Sequence, residues 1–360
     1  MHCVIMAGGR GTRFWPESRT KKPKQILTLV DNKSLLEETV ERVITLCPTS
    51  NIHIVTGVDI EEKVSNILSD YSGIKIIAEP KGRNTAPCIG YMASRISFYS
   101  SPDDIMVILP SDHLIANKEK FLRTISDAII AANENDTVVT VGIKPSSPNT
   151  GYGYIQAGKK VKELEHGSPL HKVVSFKEKP SLDTAKQFIK SGDYLWNAGI
   201  FLVKAKVILS EIKKHMPELY SGLEEIKKAF GTKEELKTFN KKFVDLPSES
   251  LDFGVIEKLS GTLTIPAEFG WNDLGSWNSL YDIKDKKDFG ISNQKNVVSV
   301  NSKDNIINTY DGKKLIALLN VEDLIVIDTP DVLLVASRKD DQKVKEIVQI
   351  IKDKKLDEYL

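Results

Sequence analysis

Within 25 residues of its start, the chain runs from a short apolar segment, Cys3-Val4-Ile5-Met6-Ala7, into Gly8-Gly9-Arg10-Gly11-Thr12-Arg13. It then reaches Pro23-Lys24-Gln25. Glycines packed this closely expose backbone N–H groups and let the main chain approach a ligand, which makes an anion nest. Arg13 adds a planar fork that suits phosphate oxygens, and Lys24 adds a compact charge stiffened by Pro23. The chemistry these types suggest is a phosphate grip. Two common versions fail. The P-loop needs Gly-Lys-Ser/Thr, which is absent, and the dinucleotide fingerprint has Phe14 where its third glycine belongs. The competing reading is a loop with surface cations, and Arg10, Lys21 and Lys22 are assigned only to its rim.

The elements that must position this loop follow from periodicity. Cys3–Ala7, Ile52–Thr56, Ile74–Ala78, Ile105–Leu109 and Thr137–Gly142 read as short buried strands. Helical patterns lie between them, at Ser34 (where Ser34-Leu35-Leu36-Glu37 has the capping-box form), Asp59–Ser69, Thr85–Tyr99 and Lys118–Asn133. Alternating strands and helices predict an α/β fold: a Rossmann-like, mixed but mostly parallel sheet flanked by helices. Ligands of such sheets gather at the carboxyl ends of strands. The glycine loop follows the first strand, and Pro110-Ser111-Asp112-His113 follows Ile105–Leu109.

From Gly151 the pattern adds strands at Gly151–Ile155, Val173–Glu178 and Gly199–Val203, with helices at Leu182–Lys190 and Lys206–Lys214. The lysine-rich span Lys227–Lys242 reads as a solvated helical face. Beyond a linker near Asp285–Asn293, short strands recur at Val297–Val300, Ile306–Thr309, Leu315–Leu319, Leu324–Ile327 and Val332–Ala336. Asp-, Asn- and Gly-rich corners separate them, as in a small β-solenoid. Asp340–Lys354 closes the chain as an amphipathic helix. The expected domains are 1–285 and 294–360.

Composition narrows the classes. The 360 residues carry 50 Lys+Arg against 49 Asp+Glu, so no general electrostatic footprint for nucleic acid exists. Cys3, Cys47 and Cys88 form no CxxC pair, so neither a zinc ribbon nor a disulfide framework is indicated. Cys3–Ala7 is too short for a signal-peptide core, and no run approaches the ~18–20 apolar residues of a membrane helix. A cytoplasmic enzyme is expected.

Further motifs join the opening one in order: Glu79-Pro80-x-x-Arg83-Asn84-Thr85-Ala86-Pro87, Pro110-Ser111-Asp112-His113, Thr150-Gly151-Tyr152-Gly153-Tyr154-Ile155, Phe176-x-Glu178-Lys179-Pro180, Trp196-Asn197-Ala198-Gly199-Ile200-Phe201 and Trp271-Asn272-Asp273-Leu274-Gly275-Ser276-Trp277. Together they resemble the sugar nucleotidyltransferases, and among these the mannose-1-phosphate guanylyltransferases, over roughly residues 1–280. Phe14 stands where Leu is usual, Ala198 and Ile200 replace Ser and Met, and Ser250-Leu251-Asp252-Phe253 stands near the usual Ser-Ile-Asp-Tyr. These departures leave substrate preference open but remove no charged group.

The resemblance implies a nucleotide-diphospho-sugar transferase fold with a left-handed β-helix-like tail. It implies that GTP and mannose 1-phosphate become GDP-mannose and pyrophosphate. It assigns nucleotide contacts to Ala7, Gly8, Gly9, Gly11, Thr12 and Arg13. Glu79, Asn84 and Thr85 are assigned to the base, with Asn84 or Thr85 as a helix cap the alternative. Mg²⁺ takes one or two carboxylates plus phosphates and water, so Asp112 and Asp273 are the expected ligands, with turn or cap aspartates as the alternative. Arg13 and Lys24 complete the catalytic set. Gly153, Glu178, Lys179 and Asn197 are assigned to the sugar phosphate; a strand-end ion pair and a turn asparagine are the bland readings. His113 is expected to be scaffold, and Trp271 and Trp277 to pack around Asp273. Another sugar 1-phosphate, glucose or heptose, stays open, as does a non-catalytic GDP-mannose sensor. None of the six histidines follows His215, so a fused cupin isomerase is not expected. A solenoid end invites pairing, and a homodimer is expected.

Overall fold

A computed structural model describes residues 1–9, 11–30, 32–283 and 296–360. Arg10 and the expected linker at 285–293 lie outside them. The chain divides into two compact units, each discontinuous in sequence. One comprises Met1–Gly8, Thr39–Ser111 and Ile115–Trp271; the other comprises Gly9–Glu38, Asp112–Leu114 and Asn272–Leu360.

The first unit is built on a nine-stranded sheet. Its strands are β1 (His2–Ala7), β2 (Ile52–Gly57), β3 (Lys75–Glu79) and β4 (Ile105–Pro110). After the two-residue β5 (Leu114–Ile115) come β6 (Val139–Ile143), β7 (Tyr154–Glu163), β8 (Pro169–Lys177), β9 (Tyr194–Lys204) and β10 (Leu263–Ala267). The order is β3-β2-β1-β4-β9-β6-β10-β8-β7. β1 to β4 pair in parallel and β6 pairs in parallel with β10, while β9 runs antiparallel to both β4 and β6. The predicted mixed sheet is therefore present. β1, β2, β4 and β6 are buried apolar runs, which is why their sequences lack alternation. The chain steps from β1 outward to β2 and β3, then returns to the other side of β1 as β4. That reversal makes β1 and β4 the pair flanking the topological switch.

The helix Thr85–Tyr99 is buried on most of its circumference and packs with Ala205–His215, Pro217–Lys227 and Glu235–Phe243. The lysine-rich span thus forms parts of two helices rather than one. Phe239 and Phe243 face the core, while Lys227 and Lys237 pair with Glu224 and Glu234. Another expectation shifts at Gly151–Ile155. Gly151-Tyr152-Gly153 forms a turn, and the strand starts at Tyr154 and continues to Glu163. Its distal half is exposed and polar, so no apolar run marked it.

In the second unit the capping box is formed. Ser34 Oγ accepts from the Glu37 amide at 3.2 Å, and the Ser34 amide donates to Glu37 Oε2 at 2.9 Å, opening the helix Leu35–Val43. After β11 (Trp271–Asn272), the tail strands are β12 (Val297–Val300), β13 (Ile306–Asn308), β14 (Ile316–Leu319), β15 (Leu324–Asp328) and β16 (Leu333–Ser337). β12 pairs in parallel with β14, and β13 with β15, at one common offset; Asn301 Nδ2 bonds Asn320 Oδ1 across the same 19 residues. The corners Asn301, Asp304, Asn320 and Asp323 all adopt positive φ, which explains the Asn and Asp between the strands. The solenoid does not continue to the last strand: β16 runs antiparallel to β15. The terminal helix is shorter than expected. A 3-10 segment, Arg338–Lys343, precedes the α-helix Val344–Asp353.

One apolar cluster holds this unit together. It joins Phe14, Trp15, Leu27 and Leu35 with Leu114, Leu274 and Trp277, with Ile306, Ile325 and Ile327 of the tail, and with Val344 and Val348 of the terminal helix. Trp15 Nε1 also donates to the Tyr359 carbonyl at 2.8 Å.

Candidate active site

In the second unit a cleft of about 330 Å³ is lined by Gly11, Thr12, Arg13, Phe14, Lys24, Asp112, His113, Asp273, Leu274, Gly275 and Lys345. Four of these side chains, Arg13, Lys24, Asp112 and Asp273, were predicted from sequence to act on phosphate or metal. Gly11 has φ +60°, and a Cβ there would lie 2.3 Å from Lys24 Cβ, so only glycine permits the close approach of these two segments. Thr12–Phe14 forms a 3-10 turn that presents Arg13, whose buried Nε meets no acceptor among the described residues. Ala7 ends β1 and is buried, whereas Gly8 and Gly9 are exposed with open space where side chains would project.

Lys24 is buried. Its Nζ donates to Asp112 Oδ2 at 2.7 Å and to the Asp273 carbonyl, and lies 6.0 Å from the Phe14 ring centre. Burial pushes the Asp112 carboxyl up, but the Lys24 charge, His113 and the Lys24 hydrogen bond outweigh it and hold it below the usual carboxylate range. Asp273 Oδ1 accepts from the Gly275 amide at 3.0 Å. The turn is strained: Leu274 has φ +45° with its side chain fully buried, a conformation costing about 1–3 kcal/mol for a non-glycine residue. Phe14 packs on Trp277 at 5.1 Å, and Trp277 is wholly buried beside Leu274 in the cluster. His113 lines the cleft. Trp271 instead packs on Tyr152 and Trp196. Two aspartate side chains on one cleft are the hard oxygen donors that a small divalent cation takes.

The first unit brings together a second set. A Cβ on Gly153 would lie 2.4 Å from Glu178 Oε2 and 3.3 Å from Asn197 Cβ, and the Asn197 amide donates to the Gly153 carbonyl at 2.8 Å. Lys179, at φ +45°, places its Nζ 2.6 Å from Glu178 Oε1. The asparagine has structural work: Oδ1 accepts from the Gly199 amide at 3.0 Å, and Nδ2 donates to Asp252 Oδ1 at 2.9 Å. One Nδ2 hydrogen remains beyond these bonds.

Sequence reasoning missed Asp252 and Glu257. Burial and the nearby Glu178 charge push Asp252 up to about 6, and Glu257 Oε1 accepts from the Glu178 amide at 2.6 Å. Asp252 lies in the Ser250–Phe253 motif and was legible as a motif residue, though not as Asn197's partner. Glu257 carried no signal.

Glu79 ends β3. Its Oε1 is buried and meets no donor among the described residues, and burial pushes the carboxyl up to about 7. Asn84, at φ +66°, caps the helix Thr85–Tyr99 through Oδ1, which accepts from the Thr85 amide at 2.9 Å. Thr85 Oγ1 accepts from the Leu251 amide. Asn84 therefore takes the capping role raised for this pair, while Thr85 opens the helix and ties it to Leu251.

A mixed sheet of this order, with a glycine turn beside a buried lysine and two carboxylates, defines an enzyme that transfers nucleotidyl groups. The family model for nucleotidyl transferase matches residues 2–288, and one for the MannoseP isomerase/GMP-like beta-helix domain matches residues 295–351. The chain is 35% identical over 99% of its length to mannose-1-phosphate guanylyltransferase 2 of Escherichia coli O157:H7, covering 74% of that protein. It is 37% identical over 97% of its length to the xanthan biosynthesis protein XanB of Xanthomonas campestris, covering 73% of it. The crystal structure of mannose-1-phosphate geranyltransferase from Thermus thermophilus superposes with a TM-score of 0.82 at 28% identity, over 98% of this chain and 99% of that one. The chain belongs to the mannose-1-phosphate guanylyltransferase family of nucleotidyl transferases.

Proposed function

We propose that the enzyme transfers GMP from GTP to α-D-mannose 1-phosphate, yielding GDP-mannose and pyrophosphate. A phosphate oxygen of the sugar phosphate attacks the α-phosphorus of GTP. The new P–O bond forms as the bond to the β-phosphate bridging oxygen breaks, and pyrophosphate leaves with that electron pair. The nucleophile is already an anion, so the site needs no general base; positioning and charge neutralisation suffice.

The observation that carries this reading is Lys24, buried and held by Asp112 and the Asp273 carbonyl in the cleft that also contains Arg13. Lys24 neutralises the oxygens of the α-phosphate under attack and the charge developing on pyrophosphate. Arg13, whose Nε meets no acceptor among the described residues, holds the β- and γ-phosphates. Asp112 and Asp273 would hold Mg²⁺, which when bound supplies charge neutralisation at the phosphates. Glu178, the remaining Asn197 hydrogen and the Gly153 amide address the sugar, and Lys179 its phosphate. Glu79 accepts from guanine N1–H and N2–H₂, with Asn84 and Thr85 beside it in sequence.

The test is a panel of GTP and ATP, each with several sugar 1-phosphates and Mg²⁺, read by pyrophosphate release. GTP with mannose 1-phosphate is expected to lead, and no GDP-mannose from that pair would sink the proposal. Lys24→Ala, Asp112→Ala and Asp273→Ala should each lower kcat by about 10²-fold or more in folded protein. Near-normal turnover in any of them removes its assigned role. Intact Lys24, Asp112 and Asp273 argue against a silent sensor.

A further inference from the structure

Lys345 lines the phosphate cleft, yet it comes from the terminal helix, more than 320 positions from Lys24 in the chain. We propose that Lys345 is a further phosphate-binding residue, contacting the terminal phosphates of the nucleoside triphosphate and the departing pyrophosphate. The inference rests on the triphosphate reading of this cleft.

Three observations carry it. The first is charge. Among the described residues, the basic and acidic side chains lining the cleft beside His113 are Arg13, Lys24 and Lys345 against Asp112 and Asp273. Without Lys345 two cations would face two carboxylates, and Lys24 is already paired with Asp112. A polyanionic triphosphate would then meet described lining side chains with no excess of cations over carboxylates. Lys345 supplies the excess.

The second is availability. Lys345 is exposed and has no ion-pair partner among the described residues, whereas Lys343 is held by Asp340 at 2.8 Å. It occupies the first turn of its helix, where the helix dipole disfavours a cation. Helix stability therefore gives no reason for a lysine there.

The third is support. Val344 and Val348, one turn apart, are buried in the cluster that also contains Phe14, Trp15, Leu274 and Trp277. The same apolar contacts thus set the Arg13 turn, the Asp273 turn and the helix bearing Lys345. A phosphate contact from Lys345 would be held on a packed helix, not on a free tail.

The test compares Lys345→Ala, Lys345→Glu and Lys345→Arg in the full chain. Lys345→Ala should raise KM for GTP, and KM for pyrophosphate in the reverse reaction, by about tenfold, the scale of one lost charge-assisted contact. Lys345→Glu should raise both further, and Lys345→Arg should restore them. KM for the sugar 1-phosphate and the thermal midpoint should stay unchanged. Calorimetric titration with Mg²⁺ and inorganic pyrophosphate gives a readout independent of turnover, and the alanine variant should bind about tenfold more weakly. Wild-type KM values and pyrophosphate affinity in Lys345→Ala would overturn the inference. So would equal losses in the alanine and arginine variants with a lowered midpoint, which would mark a packing role. If the unmodified enzyme neither makes a nucleotide sugar nor binds pyrophosphate, the functional reading itself has failed, which is a distinct result.

Discussion

Glu79 shows how a single buried carboxyl couples folding to pH. Its folded value is raised from 4.5 to about 7 by burial, with a Cys88 hydrogen bond opposing. Below pH 4.5 both folded and unfolded chains carry the proton and Glu79 adds no pH dependence. Between 4.5 and 7 the unfolded chain loses it first, so stability falls as pH rises through that window, by an upper limit on the order of 3 kcal/mol. Glu79→Gln should abolish this slope, so the variant gains stability relative to the parent from pH 5 to 7.5. Chemical denaturation at several pH values checks this, and parallel curves would contradict it. Guanine N1–H and N2–H₂ donors would favour the ionised form, so the same residue that weakens the fold suits the proposed base contact. The residue types here were all legible in the sequence. The missing donor at Glu79 Oε1 was not, because it depends on which backbone surrounds the end of β3.

At the scale of elements, the cluster proposed to hold the sugar depends on a turn, a strand end and a neighbouring strand meeting. The Gly151–Gly153 turn enters β7, Glu178 follows β8, and Asn197 sits within β9, all joined by antiparallel pairing. Gly153 is the narrowest point. Gly153→Ala would drive its methyl into Glu178 Oε2, and should raise KM for the sugar 1-phosphate about tenfold while KM for GTP stays constant, as expected for the loss of one substrate contact. Steady-state kinetics with each substrate varied decides it; equal effects on both would show general disruption. Periodicity located most of these elements because their buried faces repeat. It began β7 at Gly151, inside the turn, and missed the strand's far half, which is exposed and lysine-rich and has no apolar face to repeat. It also placed the solenoid's last strand as another coil, because a five-residue apolar run says nothing about the direction of its partner.

At the scale of the whole molecule, the tail exposes large apolar side chains on both of its small sheets. Val298 and Val300 project from β12, Leu319 lies beside Val300 on β14, and Leu333 and Val335 project from β16. A homodimer is expected, and sedimentation at micromolar concentration should report one. Val300→Lys with Leu319→Lys should shift it toward monomer; a monomeric parent would end the idea. The order of the motifs, the glycine turn and the residue types proposed for the site, Asp112, Asp273, Glu178 and Asn197 among them, were legible in the sequence alone, since each chemistry requires particular side chains near particular turns. Sequence also determined the strand and helix alternation, through the burial period of each element. Only the tertiary structure decided that Gly9–Glu38, Asp112–Leu114 and the tail form one compact unit, and that a lysine on the last helix lines the same cleft as Arg13, Lys24, Asp112 and Asp273. The physical reason is that local patterns encode which face of an element is buried, whereas its partner is chosen by long-range packing. Here Val344 and Val348 bury against Phe14 and Trp15, and no spacing along the chain records that choice.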